Sequence, residues 1–271
     1  MSIKTVLTHV EPDWGSGRAL EVAIEVAKMF SAHITGLGAE AIDPALYGYA
    51  EGTLIQALRD QIKDDAASAE QRFRSATASL GADASWLYQS TDPVDAVVAC
   101  ARGADLVVAH RTGASAGRGN FCAVGDLVLR AGAPVLVAPE EGPPLTGKRV
   151  LFAWRDGREA RRALSDALPF LKRADHVMLS AVCSADARDQ VEAELKDVVR
   201  RLTLHDVRVV RDLIPSGHGE ASSKLIDAAH RFNADLIVAG AYGHVRLREW
   251  ALGGVTQDLL DRCSKYVLFS H

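Results

Sequence analysis

Short runs of apolar residues alternate along the whole chain with longer amphipathic stretches. The runs "DLVVAH" and "DLIVAG" are apolar at nearly every position. This is typical of interior strands in a parallel sheet that helices cover on both faces. We therefore predict five strands in each half of the chain. They span about 3–10, 32–40, 84–90, 105–110 and 134–138 in the first half, and about 148–154, 176–183, 207–214, 235–240 and 266–270 in the second.

The amphipathic stretches carry the period of a helix. Between residues 54 and 80, apolar side chains recur every three or four positions and form one stripe, with most charged residues off it. The segment "DARDQVEAELKDVVRRL" in the second half shows the same spacing. Strands that alternate with helices indicate βαβ units with right-handed crossovers, so we expect an α/β fold with doubly wound parallel sheets.

The chain also repeats itself. "KTVLTHV" is matched by "KRVLFAW", "GADLVVAHRTG" by "NADLIVAGAYG", and "APVLVAP" by "KYVLFSH", in the same order in each half. Three matches in one order indicate a duplicated unit, so we predict two domains, residues 1–142 and 147–271. The segment "APEEGPPLTGK" between them is rich in Pro and Gly and is predicted to be the linker.

Composition excludes several classes of protein. The formal net charge is −4 and the pI is about 6.1, which indicates no general affinity for nucleic acid or an anionic membrane. The chain has no signal-peptide pattern and no apolar run of about 18 residues, so we expect a cytoplasmic protein. The four cysteines lack C-x-x-C spacing, and we interpret them as reduced, packed thiols.

The segment "GAYGHVRLREWALGGVTQDLL" offers candidate chemistry, because it follows the fourth strand of the second half, where such sheets bind ligands. Gly240, Gly243 and Gly253 remove side chains from the loop, and we expect the last helix to begin near Val255 or Thr256, with Thr256 as its cap. Amide groups at a helix N-terminus bind anions. The alternative is that these glycines only allow the chain to turn, and that the charged side chains of the loop face solvent without binding an anion.

The spacing Gly, two residues, Gly, nine residues, Gly and a small residue resembles the nucleotide loop of the universal stress proteins. The resemblance covers essentially the whole chain. It implies two tandem flavodoxin/Rossmann-like domains of the adenine nucleotide alpha hydrolase-like type, each with strand order 3-2-1-4-5. It also implies ATP or another adenine nucleotide as ligand, with Mg²⁺ as a companion that neither domain requires. Family members pair through their last strands, here about 134–138 and 266–270, so we expect an internal pseudo-dimer; a homodimer of chains stays open.

The resemblance also assigns candidate site residues in the second half. The segment after the first strand helps to position the nucleotide, the backbone near the end of the second strand meets the adenine edge, and the glycine loop holds phosphate and ribose. His244 and Arg246 add donors to that loop. The predicted nucleotide-binding residues are Ala153, Trp154, Arg155, Asp156, Val182, Gly240, Gly243, His244, Arg246, Gly253, Gly254, Val255 and Thr256. No catalytic or metal-binding residue is predicted.

The sequence departs from the family pattern at several points. Gly254 stands where nucleotide-binding members usually have Ser or Thr, and Arg155 stands at the acidic position, with Asp156 one residue later. In the first half, His110 replaces the glycine that corresponds to Gly240, and Glu11 takes the acidic position. We therefore expect a degenerate first domain, in which Arg111 and Arg118 are the candidates for contact with a ligand and an ordinary surface loop is the alternative.

No motif of a hydrolase elbow, a zinc protease or a P-loop occurs. The leading hypothesis is a stress-response module that binds an adenine nucleotide in its second domain and acts on client proteins of unknown identity. A nucleotide-free scaffold for protein interactions is the first alternative. A slow adenine-nucleotide hydrolase is the second.

Overall fold

The computed structural model describes residues 2–11, 17–40, 52–111, 123–217, 220–243 and 254–271. The first half alternates strands and helices in the order β1 (Thr5–His9), α1 (Arg18–Phe30), β2 (His33–Ala39), α2 (Gly52–Thr77), β3 (Ala84–Gln89), α3 (Pro93–Ala101), β4 (Leu106–His110), α4 (Val124–Arg130) and β5 (Val135–Ala138). A 3-10 segment, Ala78–Asp83, follows α2.

The second half repeats this alternation, with one extra turn of helix after α5. Its elements are β6 (Arg149–Ala153), α5 (Arg158–Asp166), α6 (Leu168–Leu171), β7 (His176–Cys183), α7 (Arg188–Leu204), β8 (Val209–Pro215), α8 (Ala221–Arg231), β9 (Leu236–Gly240), α9 (Gly254–Arg262) and β10 (Tyr266–Ser270). The helix predicted by "DARDQVEAELKDVVRRL" is α7. In the part of the chain that the structure describes, no helix is both long and apolar enough to cross a membrane.

All ten strands form one sheet, in the order β3-β2-β1-β4-β5-β10-β9-β6-β7-β8. When the strands are numbered separately within each half, both halves have the strand order 3-2-1-4-5. Neighbouring strands within a half are parallel, whereas β5 and β10 are antiparallel and join the halves. In that pair, Leu136 lies opposite Leu268 and Val137 opposite Val267. The predicted contact between 134–138 and 266–270 is therefore confirmed, and it removes two sheet edges that would otherwise be exposed.

A hydrophobic core covers each face of the sheet, and each core contains residues from both halves. Along β6, Val150 and Phe152 point into one core and Leu151 into the other. This alternation explains why the interior strands are apolar at every position, because both faces of the sheet are covered. The helices α5 and α7 lie over the first of these cores, whereas α8 and α9 lie over the second.

Apart from Ala138, which ends β5, the predicted linker contains no helix or strand, and it is fixed to both halves. Leu145 is buried, and its backbone N–H donates to Oε2 of Glu25 at 3.0 Å. The hydroxyl of Tyr266, on the last strand, donates to the carbonyl of Pro143 at 2.7 Å. The linker therefore packs as part of the fold and does not act as a free tether.

Candidate functional site

In the second half, we give the name crevice to the edge of the sheet at the carboxyl ends of β6 and β9. The two strands are neighbours, with Ala153 opposite Ala239. The chain leaves β6 for α5 on one face of the sheet and leaves β9 for α9 on the other. Connections that diverge to opposite faces leave a gap at this edge, which is where doubly wound sheets bind ligands.

Gly240 is needed by the fold, whatever the crevice binds. A Cβ added at Gly240 would lie 2.6 Å from the backbone N of Ala160 and 2.7 Å from the carbonyl carbon of Glu159. No side chain fits at such distances from backbone atoms. The glycine therefore lets the first turn of α5 pack against the end of β9, and this contact fixes one wall of the crevice.

The other wall is the start of α9. This helix begins at Gly254, so Thr256 lies inside its first turn, and the prediction that Thr256 caps the helix is wrong. Its buried hydroxyl instead accepts a hydrogen bond from the backbone N–H of Tyr242 at 3.4 Å. Gly254 and Gly243 are exposed and Val255 is half-buried. Thr256 thus ties Tyr242, which follows β9, to α9.

In the segment after β6, two of the predicted site residues, Trp154 and Asp156, already make contacts within the protein. The Trp154 ring is packed in the core against Phe152, with ring centroids 6.1 Å apart. The backbone N–H of Trp154 donates to the carbonyl of Ser180 at 2.7 Å. Asp156 accepts two hydrogen bonds from Arg161, at 2.9 and 2.6 Å, on the exposed surface. Arg155 is exposed.

Val182 presents open backbone to the crevice. β7 is paired with β8 through Cys183, but its pairing with β6 ends where Ala153 meets Ser180. The carbonyl of Ser180 faces β6, and successive residues of a strand face alternate sides. The N–H and C=O of Val182 therefore face the side where β6 has already ended. Val182 is half-buried and offers one donor and one acceptor side by side.

The structure adds one functional group that the sequence analysis missed, the carboxylate of Glu159. This side chain is 7% exposed and lies in the first turn of α5. A Cβ added at Gly243 would lie 3.0 Å from its Oε2, and one added at Gly157 would lie 3.3 Å away. The Arg158 guanidinium donates to Oε1. Burial acts to raise the pKa of Glu159, but the hydrogen bond from Arg158 and nearby positive charge outweigh it and hold the pKa below its usual value.

At the matching edge of the first half, titratable side chains line a small cavity. Nε2 of His110, at the end of β4, lies 3.9 Å from Oε1 of the buried Glu11. Burial raises the pKa of Glu11 to about 7, although the charge of Arg72 opposes this, and burial lowers the pKa of His9 to about 4. Arg111, a predicted ligand contact, instead donates from Nη2 to the carbonyl of Leu259 in α9 at 3.2 Å.

The remaining candidates cannot be placed. His244, Arg246, Gly253 and Arg118 lie outside the described residues. Among the residues that are described, no group of three or more His, Cys, Asp or Glu side chains could hold a metal ion. Of the predicted residues, Ala153, Val182 and Gly240 lie at or near the carboxyl ends of β6, β7 and β9. Thr256 in α9 contacts Tyr242, and Glu159 lies close to the positions of Gly240 and Gly243.

Comparisons with known proteins agree with this architecture. Residues 147–271 match the sequence model of the Universal stress protein family. A universal stress protein from Archaeoglobus fulgidus has a similar structure, with 16% identity, a TM-score of 0.77, and coverage of 98% of this chain and 97% of that one. A functionally unknown protein from Pseudomonas aeruginosa has 18% identity, a TM-score of 0.60, and coverage of 99% and 92%. At such identities the likeness concerns the fold. No curated protein matches the chain significantly.

Proposed function

Residues 147–271 match the model of the universal stress protein family, and from this premise we propose that the chain is a member whose second half binds an adenine nucleotide. ATP, ADP and AMP are the candidate ligands. The protein would act as a cytosolic stress-response module whose contacts with client proteins depend on that ligand. The crevice at the ends of β6 and β9 is the proposed binding site.

The observation that carries the proposal is the open backbone at Val182. Adenine presents a donor and an acceptor side by side on its Watson–Crick edge, and one residue's C=O and N–H complement that pair. Val182 offers both groups on the side of β7 where β6 has ended. A base held there would direct its sugar and phosphates along the crevice, toward the loop after β9.

The start of α9 supports the phosphate part of the proposal. The first amide groups of a helix lack partners within the helix, and the positive end of the helix dipole favours anions. Gly243 is exposed, so backbone at that position is accessible to a ligand. The hydrogen bond from Tyr242 to Thr256 holds the loop near this helix end.

Two observations favour the nucleotide-free scaffold as the second candidate. Gly254 supplies no hydroxyl to a phosphate, and the Glu159 carboxylate lies against Gly243. In the scaffold, the crevice would be closed by the protein's own groups, and client proteins would bind regardless of nucleotide. The hydrolase alternative adds turnover to binding, and phosphate release assays would reveal it.

Isothermal titration calorimetry with ATP, ADP and AMP tests the proposal. We expect binding by the unmodified protein and a loss of at least about tenfold in affinity, about 1.4 kcal/mol, for Gly243→Val. The added side chain would occupy the space between the loop and Glu159. Mass spectrometry of the purified protein provides an independent readout, because a tightly held nucleotide would co-purify.

The control is Gly217→Val. Gly217 follows β8, is exposed, and has no atom within 4 Å of an added Cβ. This variant should bind nucleotide like the unmodified protein. If no adenine nucleotide produces heat at high protein concentration, the proposal is wrong. The nucleotide-free scaffold for protein interactions then becomes the favoured function.

A further inference from the structure

The two halves meet through their last helices as well as through their last strands. β5 pairs with β10, and the helices that precede these strands, α4 and α9, cover the same hydrophobic core. Leu127 of α4 and Leu259 of α9 are both buried there. We call this region, where α4 and α9 flank the paired strands, the joint. Two side chains cross it, Arg111 from the first half and Tyr242 from the second.

Arg111 crosses the joint to the carboxyl end of α9. It directly follows β4, and its Nη2 donates to the carbonyl of Leu259, in the last turn of α9, at 3.2 Å. The last carbonyl groups of a helix lack partners within the helix and form the negative end of its dipole. A guanidinium at this point stabilises the helix end both as a donor and as a cation. A residue of the first half therefore completes the last turn of α9.

Tyr242 crosses the joint in the opposite direction. It lies two residues after β9, and a Cβ added at Gly125 of α4 would lie 3.3 Å from its hydroxyl oxygen. The hydroxyl is therefore packed directly on α4. The backbone N–H of the same residue donates to the hydroxyl of Thr256, in the first turn of α9, at 3.4 Å. Tyr242 thus contacts α4 with its side chain and α9 with its backbone.

The backbone conformation of Tyr242 requires support from its surroundings. Its φ is 57°, in the left-handed region that a bulky residue rarely adopts, and such a conformation persists only where neighbouring groups hold it. The ring packs against His271, with ring centroids 6.3 Å apart, and the hydroxyl is buried. Burial raises the pKa of this hydroxyl, and the charges of Asp126 in α4 and Asp261 in α9 add to the effect. The hydroxyl therefore stays neutral between acidic groups of both halves.

These contacts are reciprocal. Each half places a residue that follows its fourth strand on the last helix of the other half, Arg111 on α9 and Tyr242 on α4. Both ends of α9 consequently depend on the first half. Arg111 holds the last turn, and Tyr242, which is supported by α4, holds the first turn through Thr256. The first turn of α9 is the part of the crevice proposed to attract phosphate.

We propose that the first half positions α9 and thereby sets the affinity of the second half for its ligand. Arg111 and Tyr242 are positioning residues, because they act through α9. A ligand or protein that displaces Arg111 or shifts α4 would weaken binding in the second half, which gives the first half a regulatory role. The effect on affinity rests on the proposed nucleotide binding, whereas the positioning of α9 does not.

Hydrogen exchange measured by mass spectrometry on the ligand-free, full-length protein tests the contact of Arg111. In Arg111→Gln, amides in the last turn of α9 should exchange about tenfold faster or more, because the helix end loses a hydrogen bond from a charged group. Arg111→Lys keeps the positive charge and should give an intermediate rate. The matched control is Arg162→Gln, since Arg162 also joins the halves, from α5 to the carbonyl of Gly132. This control should leave exchange in α9 unchanged.

A pair of variants tests the contact of Tyr242. Gly125→Val adds atoms where the hydroxyl lies, so amides in the first turn of α9 should exchange faster, and calorimetry should show about threefold weaker binding of ATP or worse. Adding Tyr242→Phe to this variant removes the hydroxyl from the contact and should restore most of both losses. A general loss of stability would not be reversed by deleting a hydroxyl group.

The outcomes separate this inference from the proposed function. The inference is wrong if α9 exchanges at the unmodified rate in Arg111→Gln and Gly125→Val, or if Arg162→Gln accelerates exchange as much as Arg111→Gln does. It is also wrong, while nucleotide binding stands, if α9 exchanges faster but the affinity for ATP is unchanged. If even the unmodified protein does not bind ATP, the proposed function and the effect on affinity are refuted, and hydrogen exchange alone decides whether the first half positions α9.

Discussion

Gly240→Ala should destabilise the fold, because the glycine permits a backbone contact between β9 and α5. The added Cβ would lie 2.6 Å from the N of Ala160, whereas ordinary contact begins at 3.4 Å. The first turn of α5 must therefore move by about 0.8 Å, the difference between these distances. Overpacking of this kind costs about 1–3 kcal/mol. Replacing glycine also restricts the unfolded chain, which offsets about 0.4–1 kcal/mol, so we expect a net loss of about 1–2 kcal/mol.

Urea denaturation followed by circular dichroism measures this loss, and Gly243→Ala is the matched control. A Cβ at Gly243 would lie 3.0 Å from the end of a side chain, Oε2 of Glu159, and not from backbone. A small rotation of that side chain relieves the contact, so the free energy of unfolding should change by less than about 0.5 kcal/mol. If Gly240→Ala is as stable as the unmodified protein, α5 does not pack against β9 as described.

Two further predictions concern the junction of the halves and the buried carboxyl of the first half. A fragment of residues 147–271 exposes the edge of β10, whose five residues are all buried in the full chain, so we expect the fragment to dimerise through β10; a monomer in light scattering would contradict this. Burial raises the pKa of Glu11 from 4.5 to about 7, so the folded protein holds a proton that the unfolded chain releases, and stability falls as pH rises through that window. Glu11→Gln should therefore be about 1–3 kcal/mol more stable than the unmodified protein at pH 8 and equal to it near pH 4. Urea denaturation at both pH values measures the difference in the free energy of unfolding. If that difference does not vary with pH, the raised pKa of Glu11 is wrong.

The strands could be predicted closely because both faces of the sheet are buried. β7 spans the predicted residues 176–183, and β10 the predicted 266–270. In each, the apolar run ends where the cover of helices ends. β8 begins two residues later than predicted, at Val209, and it is an edge strand with Val210 exposed.

Glu159 could not be identified from the sequence. An acid in the first turn of a helix is favourable through the helix dipole and normally remains in solvent. Here the close packing of α5 on Gly240 turns the side chain inward, against Gly243. That contact joins residues that are about eighty positions apart in the chain. No local spacing encodes it, because it depends on the separation of β9 from a helix that follows a different strand.

Each half carries a buried carboxyl at the same edge of the sheet, and its hydrogen-bond partners decide what each can do. In the first half, among the residues described, Oε2 of Glu11 has no hydrogen-bond partner, and burial raises its pKa to about 7, which favours the neutral acid. In the second half, Arg158 donates to Glu159 and holds its pKa below the usual value, which favours the anion. The two buried carboxyls therefore favour opposite charge states, the neutral acid at Glu11 and the anion at Glu159. The hydrogen bond from Arg158 contributes to this difference, and the stronger effect of burial on Glu11 contributes as well.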